Sequence, residues 1–247
     1  MSLSIIIACI GSFVAGVVDA IAGGGGVITM PVLIFLGYPV DMVLGTNKLI
    51  STSGTSFAAT NFIRKNHYSD FVLKYNLIFT CIGAAIGASC ASLVVEEVLK
   101  PIVSVLIIGI ALYLFFKPDI GIQDKKLIYS RYRISATFAA SFGIGFYDGI
   151  FGPGTGAFLT FMFLKVLGQN FLLANGNTKI LNLASNVVSL AIFVYYQKII
   201  WAIGIPMAFC NMLGGIIGSQ IAIKRGTKWI RWIFIFMASL VGIRQLL

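Results

Sequence analysis

The sequence predicts an all-α polytopic membrane protein, with about ten transmembrane segments forming two inverted five-segment repeats. Three observations carry that expectation. The 247 residues are 58% hydrophobic and only 11% charged, with a mean hydropathy of +0.96. A soluble domain carries about 25% charged residues, so charge this sparse among long apolar runs calls for a bilayer. No run alternates polar and apolar residues at barrel-strand length, which leaves helices as the spanning element. Finally, a glycine-rich break occurs twice inside apolar sequence, at DAIAGGGGVITMPVLIFLGYPVDMVLGTNK (19–48) and DGIFGPGTGAFLTFMFLKVLGQNFLLANGNTK (148–179).

The elements follow in order. With roughly 20 apolar residues needed per span, the segments are 3–22, 27–44, 47–63, 71–94, 98–116, 134–151, 156–174, 180–198, 201–223 and 229–246. The opening MSLSIIIACIGSF has no basic n-region and no small-residue cleavage site, so it reads as the first membrane segment. If every segment crosses, three loops share one side. They hold Arg64 and Lys65; Lys117, Lys125, Lys126, Arg131 and Arg133; and Lys224, Arg225 and Lys228. The other side holds little beyond Lys100, Lys198 and Arg244, with Glu96 and Glu97. The positive-inside rule makes the first side cytoplasmic and puts both termini outside. Segments 27–44 and 156–174 either cross fully or are re-entrant. If they alone failed to cross, the charge bias would nearly vanish, so crossing is the favoured expectation.

The repeat extends beyond the glycines. Thr46, Asn47 and Lys48 pair with Asn177, Thr178 and Lys179 at a constant offset (177 − 46 = 131). Gly37 and Gly168, Phe62 and Phe193, Gly83 and Gly214, and Gly87 and Gly218 share it. Asp19 and Asp148 pair at a slightly shorter one (148 − 19 = 129), which places a two-residue insertion near the second glycine cluster. Residues 1–116 form the first repeat, 117–133 a cytoplasmic basic linker and 134–247 the second repeat. An odd number of segments per repeat turns the copies upside down. Such repeats place a binding site at their interface.

Several residues carry chemistry. A break at Gly23, Gly24, Gly25 and Gly26, or at Gly152, Gly154, Thr155 and Gly156, frees N–H groups at the start of the next helix. With the helix dipole they favour an anion. A tight turn at the membrane surface, or close helix packing, is the competing reading. Thr46, Asn47, Asn177 and Thr178 offer side-chain donors, and Lys48 and Lys179 add charge. Ser51 and Asn182 lie one helical turn beyond Asn47 and Thr178. Thr52, Thr55, Ser56, Ser185 and Asn186 continue the polarity. The alternative is a capped helix start with lysines snorkelling to the interface. Asp19 and Asp148 are carboxylates in apolar sequence, either proton-coupling groups or structural groups that cap the loop or pair with a lysine.

Other features exclude classes. The formal charge of +10 comes without a basic face interleaved with aromatics, so no nucleic-acid partner is expected. Cys9, Cys81, Cys90 and Cys210 read as small buried hydrophobes, and lone His67 reads as solvated. Glu96 and Glu97 read as an exposed turn before Pro101, and Trp201, Trp229 and Trp232 as interface anchors. Gly83/Gly87 and Gly214/Gly215/Gly218 match small-residue helix packing. No nucleophile–base set, metal cluster or nucleotide loop stands out, so no enzyme, cofactor or metal is expected. The expected partners are a small anion, the lipid bilayer and a coupling proton or cation.

The pattern FVAGVVDAIAGGGGVITMPVLIFLGYP then GTNKLIS resembles the sulfite exporter TauE/SafE family of membrane transporters. GIGFYDGIFGPGTGAF then GNTKILNLASN resembles that family's second repeat. The resemblance covers nearly the whole chain. It implies a prokaryotic-type inner-membrane, multi-pass transporter for sulfite, a sulfonate or another organosulfur anion. Gly23 to Gly26, Thr46, Asn47 and Lys48 match the first motif. Asp148, Gly152, Gly154, Gly156, Asn177, Thr178 and Lys179 match the second, which departs at Pro153 and Thr155. Alternating access is the favoured mode. A passive anion channel, or a membrane subunit of a sulfur-metabolism complex, is the alternative.

Overall fold

The apolar runs fold as helices, and no strand occurs among the described residues. The structure is a computed structural model and describes residues 2–91, 105, 108–117, 119–123 and 131–246. The helices are α1 Ser2–Ala22, α2 Gly26–Phe35, α3 Val40–Arg64, α4 Asp70–Cys90, α5 (described over residues 108–116), α6 Arg131–Ile150, α7 Thr155–Val166, α8 Phe171–Tyr195 and α9 Trp201–Leu246. Within α9 the chain breaks at Gly226 (φ 74°, ψ −172°), inside the basic loop expected between the last two segments. Glu96, Glu97, Lys100, Pro101, Lys125 and Lys126, and most of segment 98–116 before residue 108, lie outside the described residues.

Four stretches are long and apolar enough to cross a membrane: Ser4–Ala22, Leu73–Cys90, Phe171–Tyr195 and Trp201–Ser239. These helices make the chain a multi-pass membrane protein. α3 is as long as α8, at 25 residues, but its Thr/Asn/Lys cluster and following hydroxyls dilute its hydropathy.

Segments 27–44 and 156–174 do not form single helices. α2 has 10 residues and α7 has 12. At 1.5 Å per residue they are about 15 and 18 Å long, half the hydrocarbon thickness. Each short helix folds back along its predecessor. A Cβ on Gly11 would lie 3.2 Å from Val32 Cγ2, while Gly25 packs on Ala15 and Asp19. Likewise Arg133 Nη1 donates to the Val166 carbonyl at 2.9 Å, and Thr155 Oγ1 donates to Asp148 Oδ1 at 2.8 Å. α1–α2 and α6–α7 are therefore hairpins whose glycine tips point inward.

The element bounds repeat. α3 maps on α8 at the offset of the Thr/Asn/Lys clusters, at its start (Val40 to Phe171) and at its end (Arg64 to Tyr195). α2 and α7 begin at the shorter offset of the two aspartates (Gly26 to Thr155) but end at the longer one (Phe35 to Val166). The two-residue insertion thus lies after the glycine cluster, in the second short helix or its end. α3 and α8 run antiparallel. A Cβ on Gly45 would fall 2.0 Å from the Lys198 carbonyl oxygen, and one on Gly176 would fall 1.8 Å from that of His67. Small residues let the backbones touch elsewhere too. A Cβ on Gly83 would sit 2.2 Å from the Phe142 carbonyl oxygen, and one on Gly214 2.2 Å from that of Phe13. Phe62 anchors one apolar cluster and its counterpart Phe193 the other.

Two expectations for minor residues change. The four cysteines are free thiols of intermediate exposure, not buried. His67 is half-buried; burial, and then the Lys65 charge, push its pKa below the ordinary value, so it stays neutral at pH 7.

Candidate functional site

The two hairpin tips meet. Gly23 (φ 76°), Gly24 (φ 126°), Gly152 (φ 95°) and Gly154 (φ 88°) hold left-handed or extended-positive conformations that only glycine adopts freely. A Cβ on Gly23 would lie 2.6 Å from Gly156 Cα, so the tips touch backbone to backbone. Beside this contact lies a cavity of about 20 Å³, room for about one water. From the first half it is lined by Asp19, Gly24, Gly25, Gly26, Asn47, Lys48 and Ser51. The second half supplies Asp148, Gly152, Gly156, Asn182 and Asn186.

Two ion pairs cross between the halves. Lys48 Nζ lies 3.0 Å from Asp148 Oδ2 and donates to the Asp148 main-chain carbonyl. Lys179 Nζ lies 3.2 Å from Asp19 Oδ2 and donates to the Asp19 main-chain carbonyl. The lysine side chains are 2% and 0% exposed, so neither snorkels to an interface. Nor do they stand at a helix start: Lys48 and Lys179 lie about two turns inside α3 and α8. Unpaired charges this deep are costly, and the reciprocal pairing is what makes them tolerable. Two lysines and two aspartates leave the core with no net charge.

The two carboxylates are held differently. Asp19 Oδ1 accepts the N–H groups of Gly24 at 3.0 Å and Gly25 at 3.3 Å. Its Oδ2 accepts Thr55 Oγ1 at 3.4 Å. The N–H groups expected to face a ligand are thus occupied by the chain's own carboxylate. Among the described residues, Asp148 Oδ1 accepts only Thr155 Oγ1, and Oδ2 faces Lys48 without an aligned hydrogen bond. The cause is local. Pro153 follows Asp148 at the same spacing as Gly24 follows Asp19, and it has no N–H to give.

Other expected site residues turn away from the cavity. Thr46 Oγ1 accepts the Ile200 N–H at 3.0 Å, and Asn177 Oδ1 accepts the Ser69 N–H at 2.9 Å. Ile200 and Ser69 are themselves repeat counterparts, so each side chain secures the start of a helix in the opposite half. Asn177 Nδ2 also donates to Gln169 Oε1 at 2.9 Å. Thr29 Oγ1 donates to Asn47 Oδ1 at 2.5 Å, and Thr160 shares a 3.1 Å hydrogen bond with Thr178. Both braces tie a short helix to the long one that follows. Only Asn47 of that pair also reaches the cavity. Gly154 is the N-cap of α7, and Thr52 and Ser56 bond back to their own helix. Ser185 Oγ donates to the Asn182 carbonyl at 3.0 Å.

Sequence reasoning missed Asn175, whose Nδ2 donates to the Ala20 and Ile21 carbonyls at 3.0 Å each. It satisfies free carbonyls at the buried C-terminal end of α1, just before the first tip. A signal existed, since an asparagine two residues before Asn177 has no reason to sit in lipid. Tyr147, whose hydroxyl donates to the Pro153 carbonyl, was also missed.

A helical, multi-pass chain with inward hairpins touching across a buried ionic core has the build of a membrane transporter. The chain belongs to the sulfite exporter TauE/SafE family, whose model matches residues 8–245. It is 37% identical over 240 residues to "Probable membrane transporter protein ORF9" of Sinorhizobium sp, covering 96% of this chain and 90% of that one. A "Probable membrane transporter protein" of Haemophilus influenzae is 35% identical over 98% of this chain and 93% of its own length. "Probable membrane transporter protein YfcA" of Escherichia coli K12 is 34% identical over 95% and 87%. No solved structure matches the chain.

Proposed function

We propose that this protein is a secondary transporter that moves a small anion (sulfite, a sulfonate or another organosulfur anion) by alternating access, coupled to a proton. The observation that carries this reading is the buried pair Lys48–Asp148 on a cavity built from both hairpin tips. The cavity is lined from both repeats, where transporters of this design place their site. Two inverted repeats, each with one re-entrant hairpin, would let either side open in turn. The antiparallel course of α3 and α8 supports the inversion. The spanning passes are then α3, α4 and the apolar segment 98–116 in one half, and α8 with the two parts of α9 in the other. Both termini face outward and the 117–133 linker faces the cytoplasm of an inner membrane.

An anion entering this site needs a cation, and both lysines are engaged by carboxylates. A proton on Asp148 releases Lys48 to the anion, with Asn47, Ser51 and Asn182 as neutral donors and Gly24 to Gly26, Gly152 and Gly156 allowing close approach. Asp19 stays ionised, held by Gly24 and Gly25. One proton then travels with one anion.

Purified protein in proteoliposomes tests this. Radiolabelled sulfite, methanesulfonate and thiosulfate are offered under a pH gradient and then a voltage gradient. Saturable, gradient-driven uptake with counterflow is expected for at least one of them. No movement of any would sink the substrate class, and non-saturating flux without counterflow would make the protein a channel.

A further inference from the structure

At the α3 C-terminal end a recess of about 530 Å³ opens between α3 and α9. Arg64 and Lys65 line it from α3 and Lys224 from α9, with the amides of Asn61 and Gln220 beside them. No carboxylate lines it, and none pairs with these three cations among the described residues. The repeat supplies an internal control. Its counterpart, at the opposite end of α3, is a recess of about 260 Å³. There Ser89 stands in for its repeat counterpart Gln220, and Tyr196 for Lys65. That recess also holds Asp41 and Lys198, paired at 2.6 Å, so it is electrically balanced.

One scaffold therefore carries two recesses of different electrostatic character, one net positive and one balanced. The positive-inside rule asks for basic residues on one face, but it does not ask for three of them around one concavity. Like charges lining one recess repel, and an anion between them offsets the repulsion. Concave positive walls also focus field lines and raise the local anion concentration.

We propose that the Arg64–Lys65–Lys224 recess is a second oxyanion-binding site, separate from the central cavity. Its ligand class is a small oxyanion bearing several acceptor oxygens, supplied either as a free solute or as the phosphate of a lipid headgroup. The site does not depend on which solute crosses the protein, nor on transport occurring at all.

The test uses the full chain and inorganic sulfate as the probe. In neutral detergent after delipidation, calorimetry should detect sulfate binding that weakens steeply with added sodium chloride. Arg64→Gln/Lys65→Gln/Lys224→Gln should lower that affinity at least tenfold, while Lys224→Arg should retain it. Lys48→Met/Asp148→Leu, which alters only the central core, should still bind sulfate at the recess. These three residues are exposed, so their variants are expected to fold. Should the triple variant aggregate, Arg64→Gln and Lys224→Gln singly should each weaken binding about threefold. A second arm places the wild type in nanodiscs. If phosphatidylglycerol in place of phosphatidylcholine suppresses sulfate binding in the wild type, the headgroup phosphate is the occupant. Unchanged binding makes it a free-anion site. Wild-type affinity in the triple-Gln variant, or in both single variants, overturns the proposal. So does an absence of sulfate binding to the wild type both in delipidated detergent and in phosphatidylcholine discs.

Discussion

At the first hairpin tip, the carboxylate of Asp19 gathers two backbone N–H groups, a hydroxyl and an ammonium. At the second, Asp148 gathers one hydroxyl and one ammonium. The surrounding helices are repeats of one another, so the difference traces to a few tip residues. Gly24 and Gly25 can turn their N–H groups onto Asp19; Pro153 cannot do the same for Asp148. Backbone donors satisfy a charged carboxylate permanently, whereas a lone ion pair can be exchanged. The duplicated scaffold thus supplies two unlike tips, and the proposed transport cycle takes Asp148 as the switchable one.

The largest effect should come from removing a lysine. Lys48→Met or Lys179→Met leaves a buried carboxylate without its counter-ion and should cost about 3–5 kcal/mol, read as lost thermal stability in detergent. The double replacements separate the halves. Lys48→Met/Asp148→Leu should recover most of that loss and still carry no flux. Lys179→Met/Asp19→Leu should stay destabilised, because orphaned N–H groups at Gly24 and Gly25 cost about 1–3 kcal/mol each. Equal recovery in both doubles would erase the distinction.

Next comes the proton. Asp148→Asn should abolish the response of uptake to a pH gradient, with flux down about tenfold, or roughly 1.4 kcal/mol of barrier. Asp19→Asn should keep the gradient response and lose stability instead. A gradient response surviving in Asp148→Asn and absent in Asp19→Asn would reverse the assignment.

Smaller effects test the braces. Asn47→Ala removes both a cavity donor and the Thr29 tie, so KM for the anion should rise several-fold. Thr178→Ala removes only the Thr160 tie, costing about 0.5–1.5 kcal/mol with KM near wild type. Smallest of all, Asp41→Asn breaks an ion pair whose side chains are 46% and 42% exposed, and should cost under about 1 kcal/mol.

Much of this was legible in the sequence. The multi-pass helical class followed from hydropathy, and the offset between the Thr/Asn/Lys clusters matches the observed bounds of α3 and α8 residue for residue. The structural alternative for the aspartates, capping the loop or pairing with a lysine, describes Asp19 on both counts. The hairpins were not legible as drawn, because an apolar run carries no direction: 27–44 reads alike whether it crosses or doubles back. The turn did leave a mark, since Gly37 (φ 85°) and Pro39 interrupt that run, as Gly168 (φ 67°) does its counterpart. Nor did sequence separate Asn47 from Thr46. Adjacent positions on a helix point about 100° apart, and only packing decides which one faces the interior.

The lysines hold more than carboxylates. Each also grips the main-chain carbonyl of the aspartate it faces, and an ammonium has three protons to distribute. On the proposed mechanism, a proton on Asp148 would let Lys48 turn one N–H to a newcomer without letting go of the tip. The tether would then outlast the ion pair, and each loading event would begin and end with the two halves still fastened together.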